Sequence, residues 1–333
     1  MEYCRISLKP IKTHSKYPGY LDSEFRKLFQ SLRVDPVLSF TRKDFFRQSP
    51  IKSKGMSISG VQQKLSVKID SNKELQITAT DGEYILKPSP EIFPHASENE
   101  HCAMLTSKLL GIDTAACCLI SFSDGELVYI TKRFDRKDDD KIHQEDLVQG
   151  FGMKSENKYS HSYEAAGKLI NTMTNGKASV VFDFFHRVVH AYIIGNDDMH
   201  LKNISLQKFP GNTGLYYDRM TPNYDCLFTT AFDTGSSSDF LAIDLLEEEK
   251  NGIFSKVYEK YGFYTGHDFK ILGSRLGLRE KPITTLINTM IKKRTLLIDL
   301  IKCSVMPEKM KEKAGVIISE RIKALGIQMI LGV

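Results

Sequence analysis

Ile193-Ile194-Gly195-Asn196-Asp197-Asp198-Met199-His200-Leu201-Lys202-Asn203 sets a dense polar cluster directly behind the most apolar run of the chain. That run, Val180 to Ile194, reads as part of a helix over Ala178 to Ile194, and Asp183, His186 and Arg187 interrupt it. The interruptions argue against a membrane span. Downstream, helical periodicity dominates from Lys256, including Ile283 to Cys303 and Lys309 to Ala324, and upstream it covers Tyr163 to Met173. Further upstream the period falls to two: Leu65, Val67 and Ile69 alternate with polar residues, as do Leu75, Ile77 and Ala79 beyond the turn Ser71-Asn72-Lys73. Glu83 to Lys87 is a third strand, closed by Pro88. A helix from Ser97 to Leu110, ended by Gly111, leads to strands at Cys117 to Phe122 and Leu127 to Arg133. Near the start, Ser23 is placed to cap a helix with Phe25, Leu28, Phe29 and Leu32 on one face, and Asp44 to Arg47 suits a second helix. The expectation is an α+β chain of two lobes. Residues 1–50 form a helical extension, 51–135 a strand-rich small lobe and 136–333 a helical large lobe, with the polar stretch Arg136 to Gln144 between lobes.

Composition fits that size of core. The chain has 333 residues, 41% hydrophobic and 26% charged, which separates it from disordered and membrane classes. No charged leader followed by a small-residue cleavage site opens the sequence, so a cytoplasmic address is expected. Six cysteines form no C-x-x-C pair and have no histidines at zinc spacing, which reads as reduced, buried thiols. The +5 charge is dispersed, and Lys292-Lys293-Arg294 reads as a solvated helix face, so neither direct nucleic-acid binding nor membrane work is expected.

Asp198 and Asn203 stand five residues apart, the spacing of the proton-accepting Asp and metal-binding Asn in the protein-kinase pattern H-R-D-x-x-x-x-N. A capping turn rich in Asn and Asp would show the same spacing, so the pair decides nothing alone. Its company is more telling. Asp225 follows the strand-like Gly214 to Tyr217, where a kinase places a metal-chelating Asp, and Tyr84-Ile85-Leu86-Lys87 ends a strand with a Lys able to reach nucleotide phosphates. Phosphoryl transfer asks for these parts: a carboxylate to take the hydroxyl proton (Asp198), oxygen ligands for Mg2+ (Asn203, Asp225) and a cation for ATP (Lys87). Ahead of them lies Gly55-Met56-Ser57-Ile58-Ser59-Gly60-Val61-Gln62-Gln63-Lys64, whose backbone N–H groups could cover phosphate, with Ser57, Ser59 and Gly60 at its tip. It lacks G-x-G-x-x-G and G-x-x-x-x-G-K-[ST], and a hairpin-entry loop is the competing reading.

Taken together these segments resemble the HipA-type toxin kinases. The resemblance rests on the small-residue loop before Val61-Gln62-Gln63-Lys64-Leu65, on Ile85-Leu86-Lys87-Pro88, Glu98-Asn99-Glu100, Lys132-Arg133-Phe134-Asp135-Arg136, Gln144-Glu145-Asp146-Leu147 with Lys158-Tyr159, Gly195-Asn196-x-Asp198-x-His200-x-Lys202-Asn203, and Asn223-Tyr224-Asp225. It implies a protein-kinase-like fold, ATP and Mg2+ as cofactors, transfer of phosphate to Ser or Thr, and a bacterial toxin–antitoxin setting. It also implies an aminoacyl-tRNA synthetase as the class of protein substrate, nucleotide contacts from Lys132 and Phe134, and autophosphorylation on Ser57 or Ser59. Longer members carry a small domain ahead of the phosphate loop, whereas here that loop begins at Gly55. The chain is thus similar to the compact members, whose partners are a DNA-binding antitoxin and a separately encoded small protein.

Several residues admit two readings. Glu100 could pair with Lys87, or close a capping box with Ser97. His200 could orient Asp198 or touch phosphate, or make a structural hydrogen bond; Lys202 could neutralise transferring charge or solvate the loop; Phe134 could face adenine or fill core. Among other classes, Ala231-Phe232-Asp233-Thr234-Gly235-Ser236-Ser237 looks like an aspartic-protease loop, but Ile112-Asp113-Thr114-Ala115 lacks the glycine a second loop needs. A lipid kinase lacks a basic amphipathic helix here, and an inactive kinase-like scaffold is disfavoured by the presence of Lys87, Asp198, Asn203 and Asp225.

Overall fold

The structure, a computed structural model, describes residues 2–12, 14–48, 62–137, 140–233 and 240–327. Ser57, Ser59 and Gly60 of the expected phosphate loop, and Thr234 to Ser237 of the protease-like stretch, lie outside the described residues. Two helices open the chain, α1 (Asp22–Phe29) and α2 (Arg42–Gln48). Then come β1 (Leu65–Ile69), β2 (Leu75–Ile77), β3 (Tyr84–Lys87), helix α3 (Ala96–Leu110), β4 (Cys117–Ser121) and β5 (Leu127–Lys132). The five strands form one antiparallel sheet in the order β2-β1-β3-β5-β4.

Side chains alternate across a strand, so each strand supplies both faces of this sheet. Tyr84, Leu86, Cys118, Ile120 and Ile130 turn to a core completed by Phe25, Phe29, Val34, Leu38 and Phe45 from the opening segment. Cys117, Leu119 and Tyr129 turn the other way, onto Cys102, Ala103 and Met104 of α3. Lys87 follows Leu86 and therefore faces α3. Ser23 does not cap α1: the helix starts at Asp22, whose carboxylate accepts from Lys16 N at 2.9 Å, and Gln30 in the left-handed region (φ 57°) ends it before Leu32.

Beyond the sheet, β6 (Arg136–Lys137) and β7 (Asp140–Lys141) make a two-stranded ribbon within the stretch expected to be a plain connector. β8 (Gln144–Asp146), β9 (Ser205–Gln207) and β10 (Arg219–Met220) form a small sheet in the order β10-β9-β8. The remaining α-helices among the described residues are α4 (Leu147–Gly150), α5 (Tyr163–Met173), α6 (Ala178–Ile194), α7 (Lys256–Tyr261), α8 (Gly266–Arg275), α9 (Glu280–Lys292), α10 (Arg294–Lys302) and α11 (Glu308–Leu325).

α6 runs through the middle of the larger core, where Arg187 and His190 find partners and His186 Nε2 has none among the described residues. Arg187 forks onto Asp183 at 3.2 and 2.7 Å, and His190 Nε2 lies 3.0 Å from Thr106 Oγ1 on α3. Among the described residues no helix is long and apolar enough to cross a membrane. Two further sequence expectations fail. Ile283 to Cys303 is not one helix, because it breaks at Lys293, whose ammonium reaches the Leu109 carbonyl at 2.6 Å near the end of α3. Gly214 to Tyr217 is not a strand; Leu215 is 89% exposed there, and the ladder forms at Arg219–Met220 instead.

Burial holds four histidines neutral: the pKa values of His101, His186 and His200 fall to about 4 and that of His190 to about 3. An unfolded chain binds protons on them near pH 6.5, so their contribution to stability is present above that pH and is lost toward pH 4. Glu100 and Glu249, raised by burial to about 7, act in the opposite sense but are fewer. The urea midpoint should therefore drop between pH 7 and pH 5; a midpoint that is flat or rising would contradict the burial of these imidazoles.

Candidate functional site

Where β3 ends, Pro88 stops the ladder and the Lys87 ammonium enters a closed polar pocket, 5% exposed. Its Nζ lies 2.5 Å from Glu100 Oε1 and 2.6 Å from Asp225 Oδ1, while Lys64 Nζ sits 3.3 Å from Asp225 Oδ2. Helix α3 delivers Glu100. It begins at Ala96 behind a left-handed His95, so Ser97 is inside the first turn and forms no capping box. Ser97 Oγ instead donates to the Lys87 carbonyl at 3.0 Å, fixing the helix start on the strand end. The adjacent Asn99 clamps the Phe228 backbone, donating to its carbonyl at 3.2 Å and accepting from its N–H at 2.8 Å. One helical turn therefore grips both β3 and the segment carrying Asp225.

Asp225 itself is strained into the left-handed region, φ 59°, which Asp tolerates better than bulkier residues. Asn223 pins the approach, its N–H donating to Asp113 O at 2.7 Å and its amide to Ser107 Oγ at 2.9 Å. Burial opposes charge on both Lys87 and Asp225, yet each is held ionised. The carboxylates of Asp225 and Glu100 keep Lys87 above its ordinary range, and the cations of Lys64 and Lys87 push Asp225 far below its own. Glu100, fully buried, is raised to about 7 by desolvation, with Lys87 pulling back.

Asp198 comes from the loop after α6. Gly195 ends that helix at φ 63°, in a place where a Cβ would strike Thr230 Oγ1 and Ile317. Side chains then define the backbone: Asn196 Oδ1 accepts from Asp198 N at 3.1 Å, Thr229 Oγ1 accepts from Asp197 N at 2.8 Å, and Asn203 Nδ2 donates to the Asp198 carbonyl at 2.9 Å. The five-residue spacing is thus the closure of one turn. Tyr159 donates to Asp198 Oδ1 at 2.6 Å. Lys158 donates to Nε2 of a neutral His200 at 2.8 Å, and Lys158 feels the charges of Asp198, Asp225 and Lys64 together. Tyr224, next to Asp225, donates its hydroxyl to the Lys202 carbonyl at 3.0 Å, which ties the segment carrying Asp225 to the turn carrying Asp198.

The structure gathers Lys87, Glu100, Asp198, His200, Asn203 and Asp225 around this space. Lys202 donates to Ser155 Oγ at 2.8 Å, and its charge acts on Lys158 and His200. Lys132 pairs directly with Tyr84, so it shares that residue's sheet face and is turned away from Lys87. Phe134 stacks obliquely on Tyr224 at 5.5 Å, with its carbonyl accepting from Gln207 Nε2 at 3.0 Å. Asp233 is an exposed carboxylate paired with Lys309 at 2.9 Å and with Lys313, an arrangement unsuited to a proton-sharing acid dyad. Three contributors carried no role in the sequence reading: Lys64, Lys158 and Tyr159. Each stands in a segment that supports the family resemblance, but nothing in its spacing shows which carboxylate it meets.

For a divalent cation, an ionised Asp225 and the amide oxygen of Asn203 form a hard-oxygen donor set suited to Mg2+. Among the described residues no cluster of three or more His, Cys, Asp or Glu is placed to hold a metal. Mg2+ characteristically takes one or two protein ligands and completes its shell with water and phosphate oxygens, so this sparse set fits it.

Residues 56–295 match the family model described as HipA-like C-terminal domain. A Haemophilus influenzae protein named "Putative kinase" is 33% identical over 323 residues, covering 92% of this chain and 93% of its own length. A Sinorhizobium fredii protein named "Putative kinase Y4dM" is 31% identical over 220 residues, 60% of this chain and 51% of that protein. In three dimensions the chain is similar to one from the Shewanella oneidensis toxin–antitoxin complex of HipA, HipB and operator DNA. The TM-score is 0.61 at 19% identity, over 83% of this chain and 66% of that one. It is also similar to the Helicobacter pylori proinflammatory kinase CtkA, with a TM-score of 0.51 at 16% identity over 78% and 93%. At these identities the structural likeness is one of fold.

Removing the cation between two buried carboxylates should be costly. Lys87→Met is expected to lower the unfolding free energy by roughly 3–5 kcal/mol in a urea titration, and adding Glu100→Gln should return part of the loss. A Lys87→Met protein as stable as the parent would show that this charge is not buried and paired.

Proposed function

This chain belongs to the HipA-like C-terminal domain family, and from that premise we propose that it is an ATP- and Mg2+-dependent Ser/Thr protein kinase, the toxin of a bacterial toxin–antitoxin pair. The observation that carries the proposal is the ion pair of Lys87 with Glu100 and Asp225, tied through the Tyr224 hydroxyl on the Lys202 carbonyl to the turn that carries Asp198 and its Tyr159 partner. Lys87 and Lys64 supply positive charge for nucleotide phosphates, while Asp225 and Asn203 would hold Mg2+. When bound, ATP with Mg2+ supplies the transferable phosphoryl group and neutralises its oxygens. Asp198 orients the attacking hydroxyl and takes its proton, and the Tyr159 hydrogen bond fixes the carboxylate for that task.

His200 is a positioning residue in this scheme. Neutral and buried, it accepts from Lys158 and aims that ammonium toward the Asp198 field. Lys158, held by His200, and Lys202, held by Ser155, are the two cations of this turn assigned to the transferring charge. The substrate is proposed to be an aminoacyl-tRNA synthetase and the partners a DNA-binding antitoxin and a small separately encoded protein, acting in the cytoplasm. A fold shared with a chain from a complex of HipA, HipB and operator DNA supports the antitoxin partner. Autophosphorylation is proposed on Ser57 or Ser59, where nearly two negative charges would repel ATP and lower activity.

Asp198→Asn should cut phosphate transfer from ATP by about 10²–10⁴-fold without moving the thermal midpoint. Undiminished transfer would remove Asp198 from this role. Mass spectrometry after incubation with ATP should find phosphate on Ser57 or Ser59, and Ser→Asp forms should be less active than Ser→Ala; the reverse order would invert the sign of the regulation.

A further inference from the structure

Next to Asp198 the helical lobe opens a cavity of about 650 Å3, with Tyr159, Phe240, Asp244, Phe254, Tyr258 and Tyr264 on its wall. Tyr159 joins this cavity to the site already described, since its hydroxyl is the donor to Asp198. The floor is held firmly: Asp244 bridges Ser162 in parallel, and Tyr163 and Glu164 at the start of α5 donate to the carbonyls of Asp244 and Leu245 at 2.9 and 3.1 Å. Aromatic rings make a continuous lining. Phe254 stacks on Tyr258 at 4.4 Å, Tyr258 meets Tyr264 at 4.9 Å, and Phe240 meets Tyr264 edge-on at 6.2 Å.

A single carboxylate on this wall, Asp244, distinguishes it from a plain apolar slot. Burial raises its carboxyl above the ordinary value, and no cation offsets that rise. Its acidic neighbours are all answered. Glu249 accepts from Tyr264 at 2.6 Å and from Leu245 N, Asp268 accepts from Thr265, and Glu164 pairs with Lys168 and Arg275. Among the described residues Asp244 alone of this group has neither an ion pair nor a side-chain hydrogen bond. Of the basic groups around the cavity, His161 on its wall stacks on Phe151 at 4.3 Å, Lys158 donates to His200, and Arg321 lies over the faces of Phe240 and Tyr192 at 4.3 and 4.8 Å.

We infer that this cavity receives a lysine or arginine side chain of the protein substrate, flanking the acceptor hydroxyl, with Asp244 as its counter-charge and the aromatic rings around its stem and head. An apolar side chain would bury the carboxylate without a partner, and an acidic one would be repelled by it. A cation gains from both, since ring faces and a partly desolvated carboxylate attract the same charge. Arg321 on Phe240 shows that these rings accept a guanidinium. The inference rests on the kinase reading and adds to it a preference for basic residues near the phosphorylated Ser or Thr.

The test is fluorescence anisotropy of the full chain with labelled alanine–glycine peptides that hold a central serine and one lysine walked through the flanking positions. Norleucine peptides, with the same stem and no charge, are the controls. At one position lysine should bind about tenfold more tightly than norleucine, and Asp244→Asn, an isosteric change, should erase that difference while leaving the thermal midpoint in place. Equal binding of lysine and norleucine peptides at every position, or a lysine preference that survives Asp244→Asn, overturns the inference. Binding is read without ATP, so a failure to transfer phosphate would count against the kinase assignment and not against the cavity.

Discussion

The Lys87 ammonium, buried between the carboxylates of Glu100 and Asp225, is the contact on which the arrangement of this molecule depends. A charge withdrawn from water is tolerated only with partners at short range and good geometry, and here the partners come from separate elements. β3 brings the cation, α3 brings one anion, and the segment after β10 brings the other. None of the three can shift without leaving a charge unpaired in a closed pocket. Ser97 and Asn99 reinforce the same junction through neutral hydrogen bonds, to the Lys87 carbonyl and to the Phe228 backbone. The five-stranded sheet and the helical lobe are therefore joined by polar chemistry at the place where the site lies, and by apolar packing of α3 elsewhere.

A second constraint orders the loop after α6. The helix is long, apolar and surrounded, so its end is fixed in space, and Gly195 supplies the left-handed backbone that lets the chain leave it. Asn196, Thr229 and Asn203 then satisfy the polar backbone of a short segment that could not stay dry otherwise. Asp198 reaches its position as a consequence of this hydrogen-bonded turn. Tyr159 and Lys158, from the loop before α5, close over it and tie it to the aromatic cavity beyond.

Much of this was legible from residue pattern. The bounds of α5 and α6 follow from 3.6-residue periodicity, β1 and β2 from alternation, β3 from the turn and proline that bound it, and β4 and β5 from continuous apolar runs buried on both faces. Errors arose where a distant group intervened. Of the two readings of Glu100, the pair with Lys87 holds and the capping box does not, because the strand end at Lys87 offers Ser97 and Glu100 their partners. The α9–α10 break at Lys293 answers an orphan carbonyl on α3, far away in sequence. Lys132 follows the strand motif, yet the register with Tyr84 turns it to the opposite face.

The sequence by itself determined the parts: which segments are helix or strand, the Asp198–Asn203 spacing, and a lysine at the end of a strand with an acid in the first turns of the next helix. Local periodicity and hydrogen-bond valence decide such features within a few residues of chain. Only the tertiary structure decided which charges meet, that Lys64 shares Asp225 with Lys87, that Tyr159 holds Asp198, and that Asp244 stands without a cation in an aromatic cavity. Those pairings join residues far apart in sequence, and electrostatic partnership depends on distance through space and exclusion of water, neither of which is written in residue order.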